Sequence, residues 1–278
     1  MPKLKSYRGI NAVITGASSG LGRLLALRIA EQEAQVALVA RRAAELEGVA
    51  AEIRRHGSQA LVLPCDVGDR AQVTTAATRA LDHFGTIDLL INNAGYGHHR
   101  PFLDWDVDDI ERMMRVNYLG SVYWTKALLP QMVQRRRGWV VFVASVAGKL
   151  GVPDESAYVA SKFAMVGLAE ALSIEVEDAG VHVLTVCPGA VRTDFFDQEA
   201  LARMPPVSRR SMIEPEPVVE ATLAALAKGK HEITVPRSIA AAYVVRCLAP
   251  GFMRRNVKRT TIGAVQRLTE KGTADKRR

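Results

Sequence analysis

Asn11-Ala12-Val13-Ile14-Thr15-Gly16-Ala17-Ser18-Ser19-Gly20-Leu21-Gly22 joins a short apolar, β-branched run to a turn with three glycines, and a helical pattern begins near Leu24. The run Asn11–Thr15 reads as a strand. Glycine lets the chain turn sharply and brings backbone N–H groups close to an anion, while the helix that follows offers the positive end of its dipole. Any strand-to-helix turn favours glycine, so the loop alone is weak evidence. Its place directly after the first strand of an alternating chain makes it a phosphate cradle.

Outward from this loop, apolar β-branched runs alternate with longer segments of helical period. The strand candidates are Asn11–Thr15, Gln35–Ala40, Ala60–Leu63, Ile87–Ile91, Trp139–Ala144, His182–Val186 and Glu232–Val235. Between them Leu21–Glu33, Ala43–His56, Arg70–Phe84 and Tyr158–Asp178 repeat apolar residues at helical spacing. Continuously apolar strands suit a parallel sheet covered on both faces. The expectation is a single α/β domain of Rossmann type: seven parallel strands, doubly wound, with ligand at their carboxyl ends.

The 278 residues carry 48% hydrophobic and 24% charged side chains, a globular composition that excludes a disordered chain. Cys65, Cys187 and Cys247 stand far apart without a CxxC pairing, which reads as small buried residues of a reduced, intracellular protein. Lys3, Lys5 and Arg8 precede an apolar run, as in a secretory signal, but Ile10–Thr15 is too short for a signal core. No stretch approaches the ~18 uncharged residues of a membrane-spanning helix.

The net charge of +8 is unevenly placed. From Arg237 onward there are 11 Lys+Arg against Glu270 and Asp275, so the basicity belongs to the C-terminal part and the rest is near neutral. Residues 1–236 are therefore expected to form the binding and catalytic domain, and 237–278 a basic, partly amphipathic extension. The region Ala190–Pro217, rich in proline, is expected either to cover a substrate site as a lid or to be a surface loop.

About twenty residues past the glycine loop, where an acidic side chain would bind the 2′-hydroxyl of an NAD ribose, stand Ala40, Arg41 and Arg42. A guanidinium fork suits a 2′-phosphate, which points to NADP(H), with Arg41 the stronger candidate. The bland alternative is that both arginines solvate a helix start.

Tyr158 and Lys162 lie four apart on a predicted helix and share one face. A phenol with an ordinary pKa near 10 is a poor acid–base catalyst at neutral pH, and a neighbouring ammonium would lower it. Ser145 follows the fifth strand, at the edge where ligand belongs, and its hydroxyl would polarise a carbonyl oxygen unless it serves only as a cap.

With the loop Thr15–Gly22, this constellation resembles the classical short-chain dehydrogenase/reductase family, and the likeness runs from about Gly9 to Pro236. The resemblance implies that Gly16, Ser18, Ser19, Gly20, Leu21 and Gly22 cradle the pyrophosphate. It implies that Asp66, followed by Val67, meets the adenine, and that Asn93, Ala94 and Gly95 line the cofactor cleft. Pro188, Gly189, Val191 and Thr193 would lie beside the nicotinamide. Asn117 would hold a relay water beyond Lys162, which would also bond the ribose hydroxyls. Read without the family, Asp66 is a helix cap and Asn117 a local hydrogen-bonder.

The reading is thus a carbonyl–alcohol oxidoreductase on a small, lipophilic substrate, steroid-, retinoid- or lipid-like. Its rival is a cofactor-sensing scaffold without significant turnover. No metal is expected; His98 and His99 lack ligand-like neighbours and read as cleft-edge or surface residues. Arg135-Arg136-Arg137 reads as a solvated turn. No nucleic-acid partner is expected. The resemblance implies a homo-oligomer, dimer or tetramer. The expected location is cytoplasmic, and the extension either touches a membrane peripherally, covers the site or contacts a second subunit.

Overall fold

The computed structural model describes residues 3–261 apart from Asp197 and Pro205; the reading of the extension beyond Thr261 lies outside the described residues. Seven strands form one parallel sheet: β1 (Asn11–Thr15), β2 (Gln35–Ala40), β3 (Ala60–Pro64), β4 (Leu89–Asn92), β5 (Gly138–Val143), β6 (Val181–Pro188) and β7 (Glu232–Val235). Their spatial order is β3-β2-β1-β4-β5-β6-β7. The chain therefore reverses direction between β1 and β4, the switch point where open α/β sheets open a crevice.

Each strand feeds both faces of the sheet. Ala12 and Ile14 of β1 enter one apolar cluster, with helices α1 (Gly20–Ala30), α2 (Ala43–Arg55) and α9 (Pro215–Lys228). Val13 enters the other, with α3 (Arg70–Phe84), α5 (Gly120–Gln134) and α6 (Ser156–Val176). The period of two along a strand carries this division, so the middle of each central strand is apolar on both faces. Each fully buried Leu, Ile or Phe contributes roughly 1.5–3 kcal/mol, less what the unfolded chain already buries.

The strands differ from expectation by a few residues. β4 starts at Leu89, because Asp88 spends its backbone N–H on Asn11 O and its carboxylate on the Asn11 N–H. The arginine turn is not merely solvated either. Arg135 donates to Asp88 Oδ1 at 3.0 Å and to Ile87 O, pairing a carboxylate that is itself buried. Cys65 and Cys187 are buried, but Cys247 is exposed, contrary to expectation.

The helix before β5 is built from α4 (Val107–Met114), a π-helical turn at Arg115–Leu119, and α5. Between β6 and α9 lie two short helices, α7 (Gln198–Arg203) and α8 (Pro206–Arg210). This excursion is pinned at its base. Val191 bridges Ile213, with Arg192 N donating to Ile213 O at 2.8 Å and Ile213 N to Ala190 O at 3.0 Å. After β7 come α10 (Ala240–Leu248) and α11 (Pro250–Thr260). Among the described residues no helix is long and apolar enough to cross a membrane.

Candidate active site

The carboxyl ends of β1, β4, β5 and β6 open into one cavity of about 680 Å³. Gly16, Ser18, Ser19, Gly20, Leu21, Arg41, Arg42, Asp66 and Val67 line its β1–β3 side. Asn93, Ala94, Gly95, Ser145, Tyr158, Lys162, Pro188, Gly189, Val191 and Thr193 line the rest. Two of the residues singled out in the sequence lie outside it: Gly22 packs beneath the loop, and Asn117 is buried behind Gly95.

The loop has no room for side chains where it matters. Gly16 holds φ at +69°, and a β-carbon on Gly22 would stand 2.3 Å from Gly16 O and 2.5 Å from Asn93 Nδ2. Asn93 braces the turn by donating from Nδ2 to Thr15 O at 2.9 Å, while Thr15 Oγ1 accepts the N–H groups of Asn93 and Ala94. Thr193 lies against Gly20 and borders the cradle on the β6 side. Backbone N–H groups at the start of α1 are thereby left facing the cavity, the arrangement that binds phosphate.

The two arginines differ. Arg42 donates to Ser18 Oγ at 2.8 Å and Ser19 Oγ at 3.0 Å and pairs with Glu45, whereas Arg41 is exposed at the rim. Arg42, not Arg41, therefore touches the loop. Asp66 does not cap α3. That falls to Asp69, which accepts from Ala71 N and Gln72 N, while Asp66 Oδ1 takes the Gly68 N–H in a local turn.

On α6, Tyr158 and Lys162 share a face as their spacing requires, with the ammonium 5.7 Å from the phenol ring centre. Ser145 caps a short 3₁₀ turn, its oxygen accepting the Ala147 N–H at 3.1 Å, and its hydroxyl bonds the Tyr158 phenol. The cap and the contact with the phenol thus coexist. Lys162 Nζ donates to Val143 O at 2.9 Å. Burial lowers the Lys162 ammonium to about 8. The same burial pushes the Tyr158 phenol well above its usual value, outweighing the Ser145 bond that lowers it. The expected lowering of the phenol by the ammonium is thus absent: desolvation of two buried groups dominates.

Asn117 sits on the π-helical turn. Its Oδ1 accepts the Tyr96 N–H at 3.0 Å, and its Nδ2 donates to Tyr96 O at 2.9 Å and to Ser161 Oγ at 3.0 Å. It thus clamps the loop that follows β4 to α6. Gly95 makes the approach possible: a β-carbon there would lie 3.1 Å from Asn117 Oδ1 and 3.5 Å from Lys162 Nζ. One extra residue in a helical turn is a common device for aiming a side chain at a site.

Some of the lining was not foreseen. Phe195, Phe196 and Met204 from the Ala190–Pro217 segment form one wall, so this segment does cover the cavity. Ile239 and Thr261 from the C-terminal extension reach its rim. His99 is a buried lining residue rather than a surface one, and Glu155, Asp154 and Arg203 lie beside it.

A family model described as short chain dehydrogenase matches residues 11–203. The 3-ketodihydrosphingosine reductase of Bos taurus is 40% identical over 203 residues, covering 71% of this chain and 61% of that protein. The chain thus spans less than two thirds of that relative's length. Dehydrogenase/reductase SDR family member 7B of Bos taurus is 36% identical over 269 residues, 91% of this chain and 82% of that one. Estradiol 17-beta-dehydrogenase 11 of Mus musculus is 34% identical over 251 residues, 89% and 82% respectively. Among solved structures, a short chain dehydrogenase/reductase from Burkholderia phymatum in complex with NAD superposes with a TM-score of 0.80 at 28% identity, over 87% of this chain and 94% of that one. A metagenomic short-chain oxidoreductase in complex with NADP gives 0.71 at 29% identity, over 82% and 96%.

Proposed function

Because the chain belongs to the short-chain dehydrogenase/reductase family, we propose that it is an NADP(H)-dependent oxidoreductase interconverting a carbonyl and a secondary alcohol on a lipophilic substrate. The observation that carries this reading is the meeting of Tyr158, Ser145 and Lys162 in the cavity that the glycine cradle borders. The cradle fits a dinucleotide: Gly16 at φ +69° and the tight packing of Gly22 beneath it fold the turn sharply, so that Gly20 and Leu21 at the start of α1 border the cavity, where a helix N-terminus suits a pyrophosphate. When bound, the nicotinamide cofactor supplies or accepts the hydride.

The chain's own part is proton transfer and positioning. Tyr158 donates its phenolic proton to the oxygen of the carbonyl being reduced, and takes it back in oxidation. A phenol raised by burial stays protonated at neutral pH, which suits the direction of reduction. Ser145, placed by its cap, hydrogen-bonds the same oxygen. Lys162, anchored on Val143 O, keeps further N–H bonds for the ribose hydroxyls and holds positive charge beside the phenol. Asn117 positions the loop after β4 behind Lys162.

Arg42 on the loop serines, with Arg41 at the rim, favours a 2′-phosphate over a bare hydroxyl, since no carboxylate lies between β2 and its helix to bind the latter. Phe195, Phe196, Met204 and Val152 line the remaining space, and relatives named for sphingoid and steroid chemistry share this chain's sequence. Both support a lipophilic substrate.

NADPH oxidation over a panel of steroid, retinoid and aliphatic ketones tests the reading. Wild-type turnover should fall by at least about a hundredfold in Tyr158→Phe, the usual worth of a general acid, with NADPH affinity unchanged. Equal turnover in the variant would overturn the assigned role. Tight NADPH binding without turnover of any ketone would favour a cofactor-sensing scaffold.

A further inference from the structure

At the substrate end of the cavity, beside the Phe195–Phe196–Met204 wall, lies a polar cluster that the hydride and proton chemistry does not use. His99 Nδ1 stands 3.4 Å from Glu155 Oε1, with both side chains largely buried. Asp154, next in the chain, pairs with Arg203 across the cavity at 3.6 Å. Arg203 Nε is buried without a hydrogen-bond partner. Asp154 takes φ of +65°, an unusual conformation for a residue with a β-carbon, and is held there by the Arg100 N–H on its carbonyl at 2.7 Å.

Resting on the reductase reading above, we propose that Glu155, with His99, Asp154 and Arg203 around it, forms a second subsite that holds a hydrogen-bond-donating hydroxyl or ammonium group of the substrate close to the reacting carbonyl.

The placement follows from α6. Glu155 is the N-cap residue of α6, outside its helical backbone, and Tyr158 lies three further on in the first turn; both line the cavity, and the charge of Glu155 is felt at the Tyr158 phenol. A substrate whose oxygen meets Tyr158 thus brings the second or third carbon beyond its carbonyl to Glu155. A largely buried carboxyl with the His99 ring at 3.4 Å from one oxygen retains acceptor lone pairs that a bound ligand could use. Burial and the neighbouring Asp154 raise Glu155 to about 7, so its proton is loosely held at neutral pH and a donor from the substrate, above all a cation, would favour the ionised, accepting form. Backbone strain of the Asp154 kind collects at binding sites, where the surrounding structure holds it in place.

A purely structural role, with Asp154–Arg203 tying the covering segment to the loop before α6, predicts no dependence on substrate chemistry. The test therefore compares substrates. NADPH-dependent kcat/KM is measured for decan-3-one, for 1-hydroxydecan-3-one and for its 1-dimethylammonio counterpart, with wild type, Glu155→Gln and Glu155→Leu. NADPH quenching of tryptophan fluorescence serves as the check on folding. Wild type should favour a donor-bearing ketone by roughly tenfold or more, and Glu155→Leu should erase that preference while leaving decan-3-one within about threefold. Glu155→Gln, which still accepts a hydrogen bond, should keep part of the preference for the hydroxyl and lose that for the ammonium. Equal rates for all three ketones in wild type, or variants that lower all three equally, would overturn the subsite while the reductase reading stands. Absence of turnover with every ketone, from protein that binds NADPH, would remove the reductase reading and this one with it.

Discussion

Replacing Lys162 by Met removes an ammonium that the fold holds at a loss. Its carbon chain is retained, so packing changes little. Lys162 is 3% exposed, and burial lowers its pKa from 10.5 to about 8. At 1.36 kcal/mol per tenfold, that depression amounts to roughly 3 kcal/mol of destabilisation at neutral pH. Losing the bond to Val143 O returns part of it, roughly 1–2 kcal/mol. The net expectation is a variant more stable than wild type by about 1–2 kcal/mol at pH 7, or about 2–3 °C in Tm for a chain of this size. The sign with pH is fixed. Below pH 8 the lysine is protonated in both states and the loss is constant. Between about 8 and 10.5 only the unfolded chain holds the proton, so wild-type stability rises by about 1.4 kcal/mol per pH unit. The advantage of the variant should therefore vanish near pH 9 and reverse above it. Thermal unfolding of both proteins without nucleotide, at pH 7 and pH 9.5, reads this directly. A variant less stable at pH 7, or a difference that does not change with pH, would refute the claim that Lys162 is kept against a desolvation penalty. The same variant should lose turnover, since no cation then stands beside Tyr158.

Two further outcomes follow from particular contacts. Arg42→Ala should weaken NADPH by roughly tenfold to a hundredfold, the worth of charge-assisted bonds to phosphate, and NADH by less than about threefold; titration calorimetry with both nucleotides decides, and equal loss for both would remove Arg42 from the 2′-phosphate. The described part of the extension presents Leu248 at 81% and Phe252 at 59% exposure beside Arg254, Arg255, Lys258 and Arg259, with no acidic residue from Arg237 to Thr261. Such a surface suits the headgroup boundary of an anionic bilayer, so Leu248→Ser with Phe252→Ser should lower co-sedimentation with phosphatidylserine vesicles at least about tenfold, and unchanged binding would point instead to a protein partner.

The sheet was readable because each strand is apolar on both faces, a demand set by the covering helices rather than by anything remote. That Tyr158 and Lys162 share one face of α6 was readable because helical spacing alone sets it. The π-helical turn at Asn117 was not, since an inserted residue in a helix leaves no trace in composition or period. Nor was the pairing of His99 with Glu155: the loop after β4 and the start of α6 meet only through the strand order, and His99 alone reads as a cleft-edge or surface residue. That Arg42 and not Arg41 bonds the loop serines was not readable either, because which side chain turns onto the loop depends on the exit angle of β2. The pKa relation of Tyr158 and Lys162 was misjudged because burial, not proximity, is the larger effect, and burial is a property of the assembled fold.

The two halves of the cavity are built by different rules, and this bears on how the protein is specialised. Around the glycine loop the fit is made against the main chain: Gly22 on Gly16 O, Gly16 on the backbone of Ala94, and the Asn93 amide on Thr15 O. A side chain at Gly16 or Gly22 would displace main chain, so these positions admit few residues. Around the substrate the walls are side chains on excursions from the sheet, namely the loop after β4, the turn before α6, the Ala190–Pro217 segment and the start of the extension. These elements are fixed at their bases, as Val191 on Ile213 shows, yet their tips can exchange residues without moving a strand. On the proposed reading, substrate choice would lie in residues such as His99, Glu155, Phe195 and Ile239, and a search for the substrate should be guided by the shape and polarity they impose rather than by the glycine loop.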